Sequence, residues 1–191
     1  MKTLVIDTST QVMYLSILSN DEILYEKILL GKNNHSENLI KEIKKGLEKL
    51  NLEVKDFSKI IVGIGPGSYT GLRVSLVVAK MFSWTLNIPL YTVSSLDMIA
   101  SGFFDNDGKY LIKTKAKRGY VYCKLVEIRD GKYHEVISDK FLSIEEFEKL
   151  INNEMKIISE DNFSFNPLNL VNIKNVDDIY LLEPNYLRGE L

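Results

Sequence analysis

The sequence predicts an α/β fold in which helices pack on a mixed sheet. Three observations carry this. Three strand-like apolar runs open the chain. Helical-period segments then alternate with short apolar runs. A polar break, Asp105-Asn106-Asp107-Gly108, separates this half from a second, strand-rich part. Consecutive strands followed by a strand–helix alternation imply a sheet with both antiparallel and parallel neighbours. The expected organisation is residues 1–104 as a larger N-terminal part and 105–191 as a smaller C-terminal one.

Thr3 to Ile6 reads as a buried strand. Val12 to Leu18 and Ile23 to Leu30 are two further strands, joined through Ser19-Asn20-Asp21-Glu22 as a hairpin turn. From Asn34 to Leu50 the period changes: Leu39, Ile40, Ile43, Leu47 and Leu50 recur at helical spacing. Asn34 is placed to cap this helix, with Glu37 completing a capping box. Lys41, Glu42, Lys44, Lys45, Glu48 and Lys49 take the opposite face. Lys59 to Ile64 is a strand, residues 65–71 a turn-rich loop and Leu72 to Leu86 a helix ended by Asn87-Ile88-Pro89. Leu90 to Val93 is a short strand, and Ser94 or Ser95 caps a helix running to about Phe103.

Beyond the break, Tyr110 to Lys115, Tyr120 to Ile128 and Tyr133 to Phe141 read as strands, the last two joined by Asp130-Gly131. Ser143 and Glu146 form a capping box for a helix to about Asn152, and Lys156 to Ser159 is a strand. The tail has no regular pattern.

With 24 Lys plus Arg against 26 Asp plus Glu, the net charge of -2 argues against a dedicated nucleic-acid binder. A single cysteine, Cys123, leaves no disulfide framework and suits a reducing cytoplasm. The opening residues carry Asp7 and no long apolar run, so no signal peptide is expected, and no stretch is apolar enough for a membrane span.

The densest motif is the glycine-rich run from Gly63 to Arg73. A strand, a glycine-rich loop and a helix start can present backbone amides to an anion. Gly65, Gly67 and Gly71 would supply the cradle, Ser68 and Thr70 hydroxyls, and Arg73 a cation. The run lacks the Lys-Ser/Thr of a Walker A loop and the third glycine of a dinucleotide fingerprint. The same glycines equally suit a tight strand-to-helix turn. Asp7, Thr8 and Ser9, at the end of the first strand, can hold magnesium and phosphate, or simply cap a turn. His35 and His134 have no partner at metal-ligand spacing, and no nucleophile elbow is present. Cys123 reads as packing.

The helix from Leu72 to Leu86 carries apolar residues on all faces, including Val77, Met81 and Trp84. Surplus apolar surface implies deep burial or a partner, and a stripe of Arg73, Val77, Lys80 and Trp84 has interface composition. Lys113, Lys115 and Lys117 alternate and would share one strand face; with Arg118 they can meet RNA phosphates or protect an edge strand.

Taken in order, Leu4-Val-Ile-Asp-Thr-Ser9, His35-Ser36-Glu37, the run from Gly63 to Arg73, Pro89 with Val93-Ser94-Ser95-Leu96, Arg118-Gly119-Tyr-Val-Tyr122 and Pro184-Asn-Tyr-Leu-Arg188 resemble the TsaB (YeaZ) family of bacterial tRNA-modification proteins. One departure is Lys115, where members often carry Asp. The resemblance implies an actin/sugar-kinase/Hsp70-like (ribonuclease H-like) fold of two lobes, the second truncated. It implies a role in making N6-threonylcarbamoyladenosine, as the non-catalytic partner of a TsaD transferase, and a TsaE ATPase as a further partner. A homodimer alone, and tRNA contact only within the complex, are also expected.

Aligned on TsaD, Ser95 and Ile99 stand where that protein has its two metal-binding histidines, and neither replaces an imidazole. No cofactor is expected in this chain; ATP and a metal are expected in the partner. By the resemblance, Leu39, Ile43 and Leu47 on the first helix and Val77, Lys80, Met81 and Trp84 on the second pair with TsaD. The competing reading is an ATP-binding enzyme, an ATPase or phosphotransferase of the same fold, built on Asp7 and the glycine-rich loop. A peptidase reading finds no metal pair or triad.

Overall fold

The computed structural model describes residues 1–31 and 35–187. Strands β1 (Lys2–Asp7), β2 (Val12–Ser19) and β3 (Glu22–Leu30) form an antiparallel meander. Asn20, in the left-handed region at φ 51°, makes the β2–β3 turn. Helix α1 (His35–Leu50) leads to β4 (Phe57–Gly63), which pairs parallel to β1. Helix α2 (Tyr69–Leu86) leads to β5 (Leu90–Val93), parallel to β4. The order β3-β2-β1-β4-β5, with the antiparallel half followed by the parallel half, is the ribonuclease H-like sheet of the actin/sugar-kinase/Hsp70 fold. Asn34, the expected cap of α1, lies outside the described residues.

Both faces of this sheet are covered, which explains its uninterrupted apolar strands. On one face Leu4, Ile6, Leu15 and Ile17 meet Leu39 and Ile43 of α1 and Leu76 and Ala79 of α2. On the other, Val5, Tyr14 and Ile61 meet Met98 of α3 (Ser95–Ala100) and the later residues Phe165 and Leu170. Tyr14 stacks on Phe165 at 4.1 Å between centroids.

The second sheet begins at Gly108. Strands β6 (Gly108–Lys115), β7 (Tyr120–Arg129) and β8 (Lys132–Ser143) form a meander, α4 (Ile144–Glu148) follows, and β9 (Met155–Ile158) pairs parallel to β6. Asp130 and Gly131, both at positive φ, make the β7–β8 hairpin. The Asp107 carboxylate accepts both of their amide protons, at 2.9 and 3.1 Å. The Ser143–Glu146 capping box is present, but α4 stops at Glu148, short of the expected Asn152.

Helix α3 lies between the two sheets with all six residues buried. Met98 faces the first sheet, while Leu96, Ile99 and Ala100 join Ile112, Val126 and Ile158 of the second. The tail crosses back over the break at residue 105. Strand β10 (Lys174–Asn175) pairs with β5, and Asn185 N–H donates to the Ile64 carbonyl at 2.8 Å. Residues 174–187 therefore pack on the first sheet, because β5 would otherwise be an uncovered edge.

Three helix details differ from the sequence reading. Helix α2 starts at Tyr69, three residues early, since Ser68 Oγ caps it by accepting from Gly71 N–H at 3.0 Å. Glu42, expected on the solvent face of α1, is buried and accepts from Tyr25 and Lys45; Lys45 holds its carboxyl below the usual range. Leu39 and Ile43, expected at a partner interface, are sealed in this chain's own core, and Leu47 packs on the same cluster. Helical spacing shows which face is apolar, and here the sheet already covers it.

The close approach of α2 to β1 gives a test. A Cβ on Gly71 would land on the Thr8 carbonyl oxygen. Gly71→Ala is expected to lower unfolding free energy by about 1–3 kcal/mol, as overpacking does. Urea titration would detect it, and unchanged stability would show that the turn yields freely.

Candidate functional site

The glycine-rich loop and the Asp7–Ser9 turn meet, as the sequence suggests, but they fill each other. Ser68 N–H donates to the Ser9 carbonyl at 2.7 Å. Thr8 Oγ1 donates to the Gly71 carbonyl at 2.6 Å and accepts from Ser75 N–H at 3.1 Å. Gly65 N–H donates to Ser95 Oγ, and Gly65 carbonyl accepts from Ser95 N–H, both at 2.9 Å. A Cβ on Gly67 would strike the Ser9 carbonyl, and one on Gly63 the Asp7 carboxylate. These glycines are required by backbone packing rather than by an open cradle. Gly65, at φ 100°, needs the left-handed region as well.

Asp7 is buried, accepts from Ser9 N–H at 2.7 Å, and is pushed up from its ordinary value by burial. Its charge is not offered to a metal in the cleft. Thr70 is exposed in the first turn of α2. Arg73 stacks over Tyr69 at 3.9 Å and donates to Tyr186 Oη at 3.0 Å, held by aromatic groups of its own chain. At the mouth between the sheets, the Glu160 carboxylate accepts from Gln11 and Lys115 amides, each at 3.2 Å. The loop and the Asp7–Ser9 turn thus bond largely to one another, with the Ser9 hydroxyl left unpartnered among the described residues. Ser95 and Ile99, at the positions aligned with the TsaD histidines, are buried in packing.

A polar cluster joins the two sheets, and sequence reasoning missed it. Lys124 of β7 is only 3% exposed. Its ammonium lies 2.6 Å from Asp97 of α3, 2.9 Å from Glu135 and 3.7 Å from Asp139 of β8. Tyr133 Oη donates to Asp97 at 2.8 Å. Ser94 Oγ and Asn185 Nδ2 donate to Asp139 at 2.9 and 3.3 Å. The β7–β8 ladder is irregular here: Cys123 pairs with Lys140 and Leu125 with Ile137. Two β8 residues, Ser138 and Asp139, thus face Lys124, a bulge that re-aims side chains. The cluster lines a cleft of about 560 Å³. Burial pushes Asp97 up to about 6, against the pull of Lys124 and Tyr133. The available signal was weak: a lysine at alternate spacing with Tyr122 and Val126 on a strand face.

The outer face of α2 is exposed. Val77, Met81 and Trp84 stand in solvent, Trp84 at 64%. The tail lies alongside: Lys80 Nζ donates to the carbonyls of Tyr180 and Leu182 at 3.4 and 3.1 Å, and Tyr180 meets Trp84 edge-on at 6.1 Å. Lys80 is thus a strut for the tail within this chain.

The basic segment divides. Lys113 and Lys115 lie on β6, but β6 ends at Lys115. Lys117 sits in the following turn, its ammonium 4.8 Å from the Tyr120 ring and 5.4 Å from Phe141. The expected single face of three lysines is therefore two, with Arg118 exposed in the turn. Cys123 is buried, and burial pushes its thiol up to about 11, away from nucleophile chemistry.

Two outcomes are expected at the junction. Lys124→Met leaves buried carboxylates uncompensated and should cost about 3–5 kcal/mol, read by urea denaturation. Asp97 in the folded chain holds a proton, between pH 3.8 and about 6, that the unfolded chain has released. Stability contributed by this group therefore falls as pH rises through that window. Asp97→Asn should flatten that slope in melting curves; an unchanged slope would mean Asp97 titrates normally.

Comparison with known proteins is consistent with this geometry. Residues 26–180 match the family model described as TsaD, tRNA N6-adenosine threonylcarbamoyltransferase. The chain is 36% identical over 140 residues to the tRNA threonylcarbamoyladenosine biosynthesis protein TsaB of Bacillus subtilis, covering 73% of this chain and 61% of that protein. It therefore spans about three fifths of that relative's length. The TsaB protein of Escherichia coli is 27% identical over 124 residues, covering 64% of this chain and 53% of that protein. The structure of YeaZ from Pseudomonas aeruginosa superposes with a TM-score of 0.68 at 21% identity, covering 74% of this chain and 67% of that one, a likeness of fold. The sheet order, the matched span and the relatives together place the chain in the TsaB (YeaZ) family, whose curated members are named tRNA threonylcarbamoyladenosine biosynthesis proteins.

Proposed function

We propose that this chain is a non-catalytic subunit for N6-threonylcarbamoyladenosine formation on tRNA, binding a TsaD-type transferase through the outer face of α2. The observation that carries the reading is that α2 buries Leu72, Leu76 and Ala79 in its own core yet still presents Val77, Met81 and Trp84 to solvent. A helix whose inner face is satisfied has no intramolecular use for a second apolar stripe. The filled glycine-rich loop and the non-ligating Ser95 and Ile99 support the absence of chemistry in this subunit. ATP and a metal then belong to the transferase. A TsaE-type ATPase is the further partner, tRNA is met only within the assembly, and the same α2 face serves a homodimer when the transferase is absent.

The test is the mass by light scattering of this chain mixed with the TsaD-type protein of its own organism. A one-to-one complex is expected. Trp84→Glu or Val77→Glu should weaken it at least tenfold while melting within a few degrees of the parent chain. Normal binding by both variants would place the interface elsewhere. Calorimetry with ATP should give no heat of binding at micromolar concentration; a micromolar dissociation constant would restore the ATP-enzyme reading.

A further inference from the structure

A groove of about 460 Å³ opens between the β6–β7 turn and α4, on the side of the second sheet away from α3. Its floor is the buried Phe147 and Val121, and Ile144 and Ile151 stand half-exposed at its edge. Four cations border it: Lys113, Lys115, Lys117 and Arg118. None of the four forms an ion pair among the described residues. Lys113 holds its ammonium 5.1 Å above the Phe147 ring, with its stem along the apolar floor. The turn is fixed to the helix: Ile144 N–H donates to the Gly119 carbonyl at 3.0 Å, and Gly119 sits at φ 83°.

We propose that this groove docks an acidic peptide segment of a partner protein, with a bulky apolar side chain over Phe147 and carboxylates against Lys113 and Lys115. Charge complementarity supports this: four cations without ion pairs flank an apolar floor, the pattern of an interface with a desolvated centre and charged rim. The acids on the same border are Glu148, Glu160 and Asp161, and both Glu160 oxygens already accept backbone amides. An RNA backbone fits less well. Its phosphates would lie over isoleucines that offer no donor, and it has no bulky apolar side chain to place over Phe147. The site lies on α4 and β6, apart from the α2 face, so it stands or falls separately from the transferase interface.

The test selects a random twelve-residue peptide library on the full chain. Enriched peptides are expected to combine at least two carboxylates with Leu, Phe or Trp. By fluorescence anisotropy a selected peptide should bind at least tenfold more weakly to the double variant Lys113→Ser, Lys115→Ser, and more weakly to Ile151→Ser. Trp84→Glu should leave its affinity unchanged. Enrichment of peptides without carboxylates, or affinity unaffected by the groove variants, would overturn the proposal. So would a tRNA probe that loses affinity in those variants while the peptide does not.

Discussion

The arrangement of the two sheets depends on one buried cation. Lys124 leaves the second sheet to reach Asp97 on α3, with Glu135 and Asp139 completing its coordination. An ammonium that deep is tolerated only with several compensating oxygens. The requirement propagates outward. The β8 bulge supplies Asp139, Tyr133 neutralises part of Asp97's remaining capacity, and Ser94 and Asn185 fix Asp139 in turn. Asn185 belongs to the tail, so the same network anchors the segment that lies beside α2. The polar junction thus joins α3, β8 and the tail, alongside the apolar packing of α3 and the β10–β5 pairing.

In the first sheet the glycine-rich loop and the strand-end turn are built as packing. Thr8 bridges Gly71 and Ser75, Ser9 carries Ser68, and Asp7 lies under Gly63. Most backbone groups of the loop and turn have partners in this chain, while the buried Ser9 and Ser75 hydroxyls have none among the described residues. The outer face of α2 is held in position by this junction at its start and by the tail along its length.

Much of the fold was legible from periodicity and punctuation. Val12–Ser19 and Leu90–Val93 are apolar runs bounded by turn residues, and the Asp130-Gly131 hairpin and Ser143–Glu146 box follow from local chemistry. The glycine-rich run was legible as a strand–turn–helix, but its purpose was not. Whether a glycine admits a ligand or a neighbouring carbonyl depends on what the Thr8 and Ser9 backbones do more than fifty residues away. Lys124 was illegible for the same reason: its partners lie on α3 and β8. Leu39 and Ile43 show the limit of amphipathic patterns, which mark an apolar face without saying whether the core or a partner covers it.

On the proposed function, the outer face of α2 meets the transferase. A photo-crosslinking amino acid placed at Val77, and in a second protein at Ile151, decides it in a mixture with the TsaD-type protein. A heterodimeric crosslink is expected from position 77 and none from position 151. A crosslink from 151 alone would contradict it.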